Sequence, residues 1–160
     1  MIRQAFAVAL IAAPAIAATA AAPMAASTYV MKAGASDQYE IQSSKLVMNS
    51  HNAGIKQFAN QMVADHTKST ADVKAAAMQS HLHPAPPHLD AMGARNVAAL
   101  RRVSGAARDR LYVSQQKTSH HMALQLQQGY AAHGTAAPLK AVASNIVPVV
   151  QGHIDMLNHM

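Results

Sequence analysis

Apolar residues recur every three to four positions along most of the chain, which is the pattern of amphipathic helices. The clearest case is the segment 52–80. One face of it carries the apolar residues Ile55, Phe58, Ala59, Met62, Val63, Val73 and Ala77. His66 lies in the middle of that face. The pattern therefore predicts a long helix with one histidine on its buried side.

Three further segments predict long helices by the same pattern. The segment 27–50 repeats Val30, Ala33, Ile41, Ser44 and Met48 with Glu40 on the same stripe. The segment 104–134 places on one face Asp109, Tyr112, Val113, Gln116, His120, Leu124 and Gln127. The last helix starts near Pro138, which suits a first turn, and carries Leu139, Val142, Ile146, Val149, Val150, His153 and Leu157.

The stretch HLHPAPPH, residues 81–88, separates the second long helix from the third. Proline cannot continue a helix and restricts the residue before it, so the second helix must end there. A short helix is predicted for 89–103. Four long helices with a short extra helix in the crossover indicate an all-α four-helix bundle. The pattern leaves open whether long helices two and three run parallel or antiparallel.

Each predicted long helix carries one ionisable residue on its apolar face, in chain order Glu40, His66, His120 and His153. Counted from the helix ends, the four lie within about one helical turn, roughly 6 Å, in height. Buried ionisable groups need a partner or a metal. Three imidazoles and a carboxylate in one layer suit a single zinc, copper or iron ion.

Glu40 is either a fourth ligand of the ion or a residue that lies beside three histidine ligands. With Glu40 bound, a tetrahedral site is closed and suits storage; with Glu40 outside, three histidines leave an open position. Asp65 and Gln116 are candidates for residues that contact the ligand side chains and orient them. A di-iron ferroxidase centre is not expected, because the chain has one glutamate and no Glu-x-x-His pair.

A metal-free interpretation stands beside this one. A single histidine on an apolar face is commonly a hydrogen-bonded core residue, and the four groups could form a polar layer without metal. Asp109 and Tyr112, three residues apart, are expected to form a structural hydrogen-bonded pair rather than a catalytic one. Enzymatic activity is left undecided, with a non-enzymatic role favoured.

Residues 1–26 have the features of a secretory signal peptide. Arg3 precedes a long alanine-rich apolar stretch, and small residues offer cleavage sites between about 17 and 26. The expected mature domain is 27–160, exported to a bacterial periplasm. The alternative is a membrane anchor formed by an uncleaved N-terminal segment. Later segments are too short or too polar to span a bilayer.

Composition narrows the chemistry and the partners. The absence of cysteine excludes disulfides and thiolate metal sites. The formal net charge is +6, but the basic residues are mostly scattered and aromatic residues are few. This favours at most weak contact with an anionic membrane surface and argues against nucleic-acid binding. A protein partner and the oligomeric state stay open.

Several local motifs resemble an exported bacterial ferritin-like family of unknown function, whose members often carry membrane or outer-membrane labels. The resemblance rests on Tyr39-Glu40-Ile41, the run from Met62 to Lys68, Asp109-Arg110, Tyr112, Gln116, His120, and Pro148 with His153. It implies a ferritin-like four-helix bundle but no established activity. The signature positions that it implies are Glu40, Asp65, His66, Asp109, Tyr112, His120 and His153. Arg108 departs from the phenylalanine usual in that family, which leaves open how the third long helix begins.

The sequence thus supports three hypotheses from different classes. The first is a periplasmic metal-binding bundle for metal sequestration or envelope stress tolerance. The second is a structural or partner-binding envelope protein with a metal-free polar core layer. The third is a metal-dependent oxidase, which needs an open coordination position.

Overall fold

The computed structural model describes residues 23–160, and this part of the chain contains five α-helices and no strand. The helices are α1 (Ala26–Lys45), α2 (Ala53–Gln79), α3 (Ala91–Arg101), α4 (Gly105–His133) and α5 (Ala137–Asn158). The predicted all-helical class and the short extra helix are confirmed. Most of the predicted signal peptide, residues 1–22, lies outside the described residues. None of the helices described is long and apolar enough to cross a membrane.

Side-chain caps favour the starts of α2 and α3, and a proline favours the start of α5. The Asn52 side chain accepts a hydrogen bond from the backbone of Ile55 at 3.2 Å, and Asp90 accepts one from Gly93 at 2.7 Å. Both bonds satisfy backbone N–H groups that a first helical turn leaves free. Pro138 lies in the first turn of α5, where its missing N–H costs nothing.

The first helix ends earlier than its pattern predicts, at Lys45 instead of about residue 50. Beyond Lys45 the chain tightens, because the backbone N–H groups of Leu46, Val47 and Ser50 each donate to the carbonyl three residues before them. The carbonyl of Leu46 also accepts a hydrogen bond from Arg108 at 3.1 Å. A residue on α4 therefore fixes the end of α1.

Arg108 also shows how the third long helix begins. Its Nε donates to the backbone carbonyls of Leu100 at 3.1 Å and Val103 at 2.7 Å. With the bond to Leu46, one guanidinium connects the end of α1, the end of α3 and the first turn of α4. Arginine can do this because its planar group has several donors in a fixed geometry.

Hydrogen bonds between helices give their directions. Tyr29 near the start of α1 donates to Gln127 near the end of α4, and Ser44 is bonded to Tyr112 near the start of α4. These pairs make α1 and α4 antiparallel. Short connections make α1 antiparallel to α2, and α4 antiparallel to α5. Helices α2 and α4 consequently run parallel, joined by the long connection that contains α3.

The four long helices pack in a ring in the order α1, α2, α5, α4. Two apolar clusters fill its interior. The first includes Tyr29, Val73, Tyr130, Leu139, Ala143 and Val150, and the second includes Phe58, Met62, Leu100, Tyr112 and Leu157. Between them along the helices lies a polar layer formed by Glu40, His66, His120 and His153, all buried.

Candidate metal centre

His66, His120 and His153 converge in the polar layer. Each offers one nitrogen, and these three atoms lie within 4.8 Å of one another. Their ring centroids are 5.3 to 5.9 Å apart, and His120 and His153 are each only 1 % exposed. Three helices thus place the histidines at one height, as the counting of residues from the helix ends predicts.

Two of the rings are held from behind by aspartates. His66 Nδ1 donates to Asp37 Oδ1 at 2.8 Å, and His153 Nε2 donates to Asp65 Oδ2 at 2.9 Å. Thr70 also donates to the second oxygen of Asp37, at 3.0 Å. A carboxylate that accepts one ring N–H fixes the tautomer and leaves a lone pair on the other nitrogen. Asp65, which the sequence analysis names as a candidate partner of the ligands, therefore contacts His153.

The third ring is held by the backbone. His120 Nδ1 donates to the carbonyl oxygen of Gln116 at 3.0 Å. The side chain of Gln116 points elsewhere, because its Nε2 donates to Ser43 Oγ at 3.1 Å. Gln116 therefore supports His120, but through its backbone carbonyl, which any residue at this position would supply.

The remaining nitrogen of each ring has no hydrogen-bond partner among the described residues. These atoms are His66 Nε2, His120 Nε2 and His153 Nδ1, and all three are buried. An unsatisfied buried polar atom typically costs about 1–3 kcal/mol. Three in one cluster, each on a ring whose other nitrogen is bonded, could together hold a metal ion.

Glu40 lies beside this cluster without belonging to the group of three. Its Oε1 accepts a hydrogen bond from Ser119 Oγ at 2.8 Å and is 3.8 Å from His120 Nδ1, too far for a hydrogen bond. Its Oε2 is buried and has no partner in the part of the chain that the structure describes. This position is that of a carboxylate next to the ligands.

Burial keeps two of the histidines neutral. Burial, together with repulsion from a charged His66, lowers the pKa of His120 to about 3. Burial also lowers the pKa of His153 to about 4, although the hydrogen bond to Asp65 opposes the effect. Neutral imidazole is the form that binds metal. Both rings are therefore ready to bind a metal well below pH 7.

The pKa values of His66 and Glu40 are raised instead. Burial lowers the pKa of His66, but the hydrogen bond to Asp37 and the charges of Asp37 and Glu40 outweigh it, so the pKa is raised. Burial raises the pKa of Glu40, and the nearby charge of His66 only partly offsets this. The environment of the layer therefore favours the protonated forms of His66 and Glu40.

Asp109 and Tyr112 do not form the predicted pair. Asp109 accepts a hydrogen bond from Ser50 Oγ at 2.6 Å, and the Tyr112 hydroxyl is bonded to Ser44 Oγ at 2.8 Å. Their spacing places both on the face of α4 that meets α1, where serines satisfy them separately. The two residues connect helices and lie outside the histidine cluster.

The sequence analysis missed Asp37 and Ser119. Asp37 lies four residues after Ala33 and three before Glu40, so it belongs to the same helical stripe. A search of that stripe for polar residues would have found it. Ser119 carries no such signal, because it neighbours His120 in the chain and its role depends on how closely α1 approaches α4.

Comparison with known proteins gives one match. The profile of a family described as "Domain of unknown function (DUF4142)" matches residues 12–160, which include the whole histidine layer. No curated protein and no solved structure matches the chain. The family description assigns no activity, so a function has to be argued from the site.

Proposed function

The chain belongs to the DUF4142 family, and we propose that it binds one transition-metal ion through His66, His120 and His153. The observation that carries this proposal is the set of three buried ring nitrogens without partners. Each of these rings is held through its other nitrogen by Asp37, Asp65 or a backbone carbonyl. Metal-ligating histidines almost always have such an outer hydrogen bond.

The donor set narrows the choice of metal. Three imidazole nitrogens without thiolates suit zinc, copper or iron. Nitrogens bound to zinc at about 2.1 Å are roughly 3.4 Å apart, so small rotations of the three rings would close the spread of 4.8 Å. Glu40 then remains beside the ligands, and a fourth coordination position stays open.

The charges around the cluster favour retention of the ion. The carboxylates of Asp37 and Asp65 would balance a divalent ion, and Glu40 adds a third acidic group. Because the site is largely closed to water, these charges are weakly screened. Sequestration is accordingly the favoured role, with envelope stress tolerance as its consequence.

The proposal extends to fold family and location. Parallel α2 and α4 joined by one long crossover support a ferritin-like four-helix bundle. The character of residues 1–26 supports export to the periplasm with the signal peptide removed. N-terminal sequencing of protein from the periplasm should then find a chain that begins between about residues 18 and 27.

An oxidase is the second candidate, and one observation favours it. Glu40 is outside the group of three, and three protein ligands with an open position are typical of catalytic metal sites. Consumption of oxygen or peroxide by the metal-loaded protein would support this candidate. A metal-free polar layer is less favoured, because it leaves three ring nitrogens and Glu40 Oε2 without partners in the described chain.

The experiment that tests the proposal measures metal content after loading. Protein without a histidine tag is incubated with Zn²⁺, freed of excess ion and analysed for bound zinc. We expect about one ion per chain in the wild type and none in the His66→Ala, His120→Ala double variant. The matched control replaces two exposed histidines, His83→Ala and His121→Ala, and should keep its zinc. A wild type that takes up no metal overturns the proposal.

A further inference from the structure

A cleft of about 470 Å³ opens between α2 and α5 and reaches the histidine cluster. His66 and His153 line it, while aliphatic side chains such as Val149 form its α5 wall. In the ring of helices this face is opposite the one between α1 and α4, and α1 carries Glu40. The cleft therefore connects solvent with the side of the cluster that is turned away from Glu40.

The mouth of this cleft is acidic in an otherwise basic protein. Asp65 and Asp72 both line it, with Lys68 as the one basic residue. The Asp65 side chain is 34 % exposed, yet its Oδ2 is bonded to the buried ring of His153. A negative mouth on a chain of net charge +6 attracts cations locally where the whole molecule repels them.

Ser69 adds a further oxygen atom to the lining of the cleft. Ser69 Oγ is buried and has no hydrogen-bond partner among the residues described, and Ser69 lies one turn after His66 on α2. The lining of the cleft thus combines the partly exposed carboxylate of Asp65 with the buried residues Ser69, His66 and His153. Oxygen donors near the surface followed by nitrogen donors in the interior suit the stepwise transfer of a hydrated metal ion.

Among residues 23–160, buried side chains cover other sides of the cluster. His120 and Glu40 are almost completely buried, and Phe58 covers the side towards the second apolar cluster. Two further surface clefts, one at the turn between α1 and α2 and one beside the proline-rich loop, contain none of the three histidines.

We propose that the cleft between α2 and α5 is the route by which a divalent metal ion enters and leaves the three-histidine site. Asp65 at its mouth is the residue that receives the ion first. The inference rests on the proposed function, because it assumes that the cluster binds metal.

The test compares the rates of metal exchange with the binding equilibrium. Uptake of Co²⁺ and its removal by EDTA are followed in Val149→Trp, which places a large ring at the rim of the cleft. Val149 is 43 % exposed, so the core keeps its packing. We expect both rates to fall at least about tenfold while the dissociation constant stays within about twofold. The matched control, Met122→Trp on the exposed face of α4, should exchange cobalt at the wild-type rate.

A second variant tests the role of Asp65. Asp65→Asn removes the charge but keeps an oxygen that can accept the hydrogen bond from His153. We expect the uptake rate to fall by about fivefold to tenfold and to depend less on ionic strength. Asp155→Asn, an equal change of charge at an exposed position of α5 outside the cleft, should leave the uptake rate unchanged.

The outcomes separate the two proposals. Wild-type exchange rates in Val149→Trp would overturn the route and leave the metal site standing, since that variant would still bind one ion. A raised dissociation constant with an unchanged uptake rate would also overturn it, because the tryptophan would then act on the site itself. A wild type that binds no cobalt would overturn the proposed function and the route with it.

Discussion

The two sides of the histidine layer differ in their contact with water. On the α1 and α4 side, Asp37, Glu40 and Ser119 are buried and form hydrogen bonds with His66 or with one another. On the α2 and α5 side, Asp65 accepts a hydrogen bond from His153 and lies at an open cleft. An aspartate thus accepts a hydrogen bond from a histidine ring on both sides, but Asp37 is buried and Asp65 is partly exposed to water. The buried side holds the two groups whose protonated forms are favoured, and the side open to water is the one on which we propose that the metal enters.

The largest expected difference is between the two aspartates. Asp37→Ala removes the acceptor of a buried, partly protonated His66, and we expect it to lower the free energy of unfolding of the metal-free protein by about 3 kcal/mol. Asp65→Ala should cost about 1 kcal/mol, because water in the cleft can take the place of the carboxylate. Urea unfolding of both variants measures the difference. Equal losses would show that the two sides are not distinct.

The loss of metal affinity should also be larger for Asp37→Ala than for Asp65→Ala. Loss of an outer hydrogen-bond partner typically weakens metal binding about 10-fold to 100-fold, and we expect Asp37→Ala to lie at the upper end and Asp65→Ala at the lower. Competition with a zinc indicator gives both dissociation constants. Asp155→Ala serves as the control, since Asp155 is exposed on α5 and does not line the cleft.

The pH dependence of metal binding should reveal which ring holds a proton. With pKa values of about 3 and 4, His120 and His153 are already neutral between pH 5 and 8 and have no proton to lose. The pKa of His66 is raised, so this ring must release its proton when the metal binds. Affinity should consequently fall about tenfold per pH unit below the raised pKa of His66.

Calorimetry in buffers with different ionisation enthalpies gives the number of protons released. We expect about one well below the pKa of His66 and fewer above it, with a second only where Glu40 also ionises as the metal binds. Release of about three protons would mean that at least two of the rings are charged in the metal-free protein. The sealed environment of the layer would then be refuted.

The smallest expected effects come from two serines. Ser119→Ala leaves the buried Glu40 without its hydrogen bond, and we expect a loss of about 1–2 kcal/mol in the free energy of unfolding. Ser69→Ala on the open side removes a hydroxyl that has no partner among the described residues. This change should shift stability by less than about 0.5 kcal/mol. A larger loss for Ser69→Ala than for Ser119→Ala would reverse the comparison.

The helix ends show where sequence reasoning about the fold succeeds. The starts of α2 and α5 were predictable within about two residues, because Asn52 and Pro138 act locally through capping and a fixed φ angle. The end of α1 was not, since Arg108 fixes it from 62 residues further along the chain. The direction of α2 relative to α4 likewise depends on long-range pairs such as Tyr29 with Gln127.

The candidate site likewise has features that could be predicted from the sequence and features that could not. Counting residues from the helix ends placed the three histidines at one height, because short connections and regular helices convert sequence distance into depth. The count could not show that Gln116 would act through its backbone or that Asp109 would pair with Ser50. Nor could it show the cleft, which depends on how α2 and α5 pack against each other.

The most direct test of the central claim is X-ray absorption spectroscopy of the zinc-loaded protein at the zinc K-edge. We expect about three imidazole nitrogens at about 2.0–2.1 Å and one further light atom, which places the ion among His66, His120 and His153. The same spectrum from the His83→Ala, His121→Ala control should be unchanged. A shell of oxygen atoms with at most one imidazole would mean that zinc binds at the surface, and it would contradict the account.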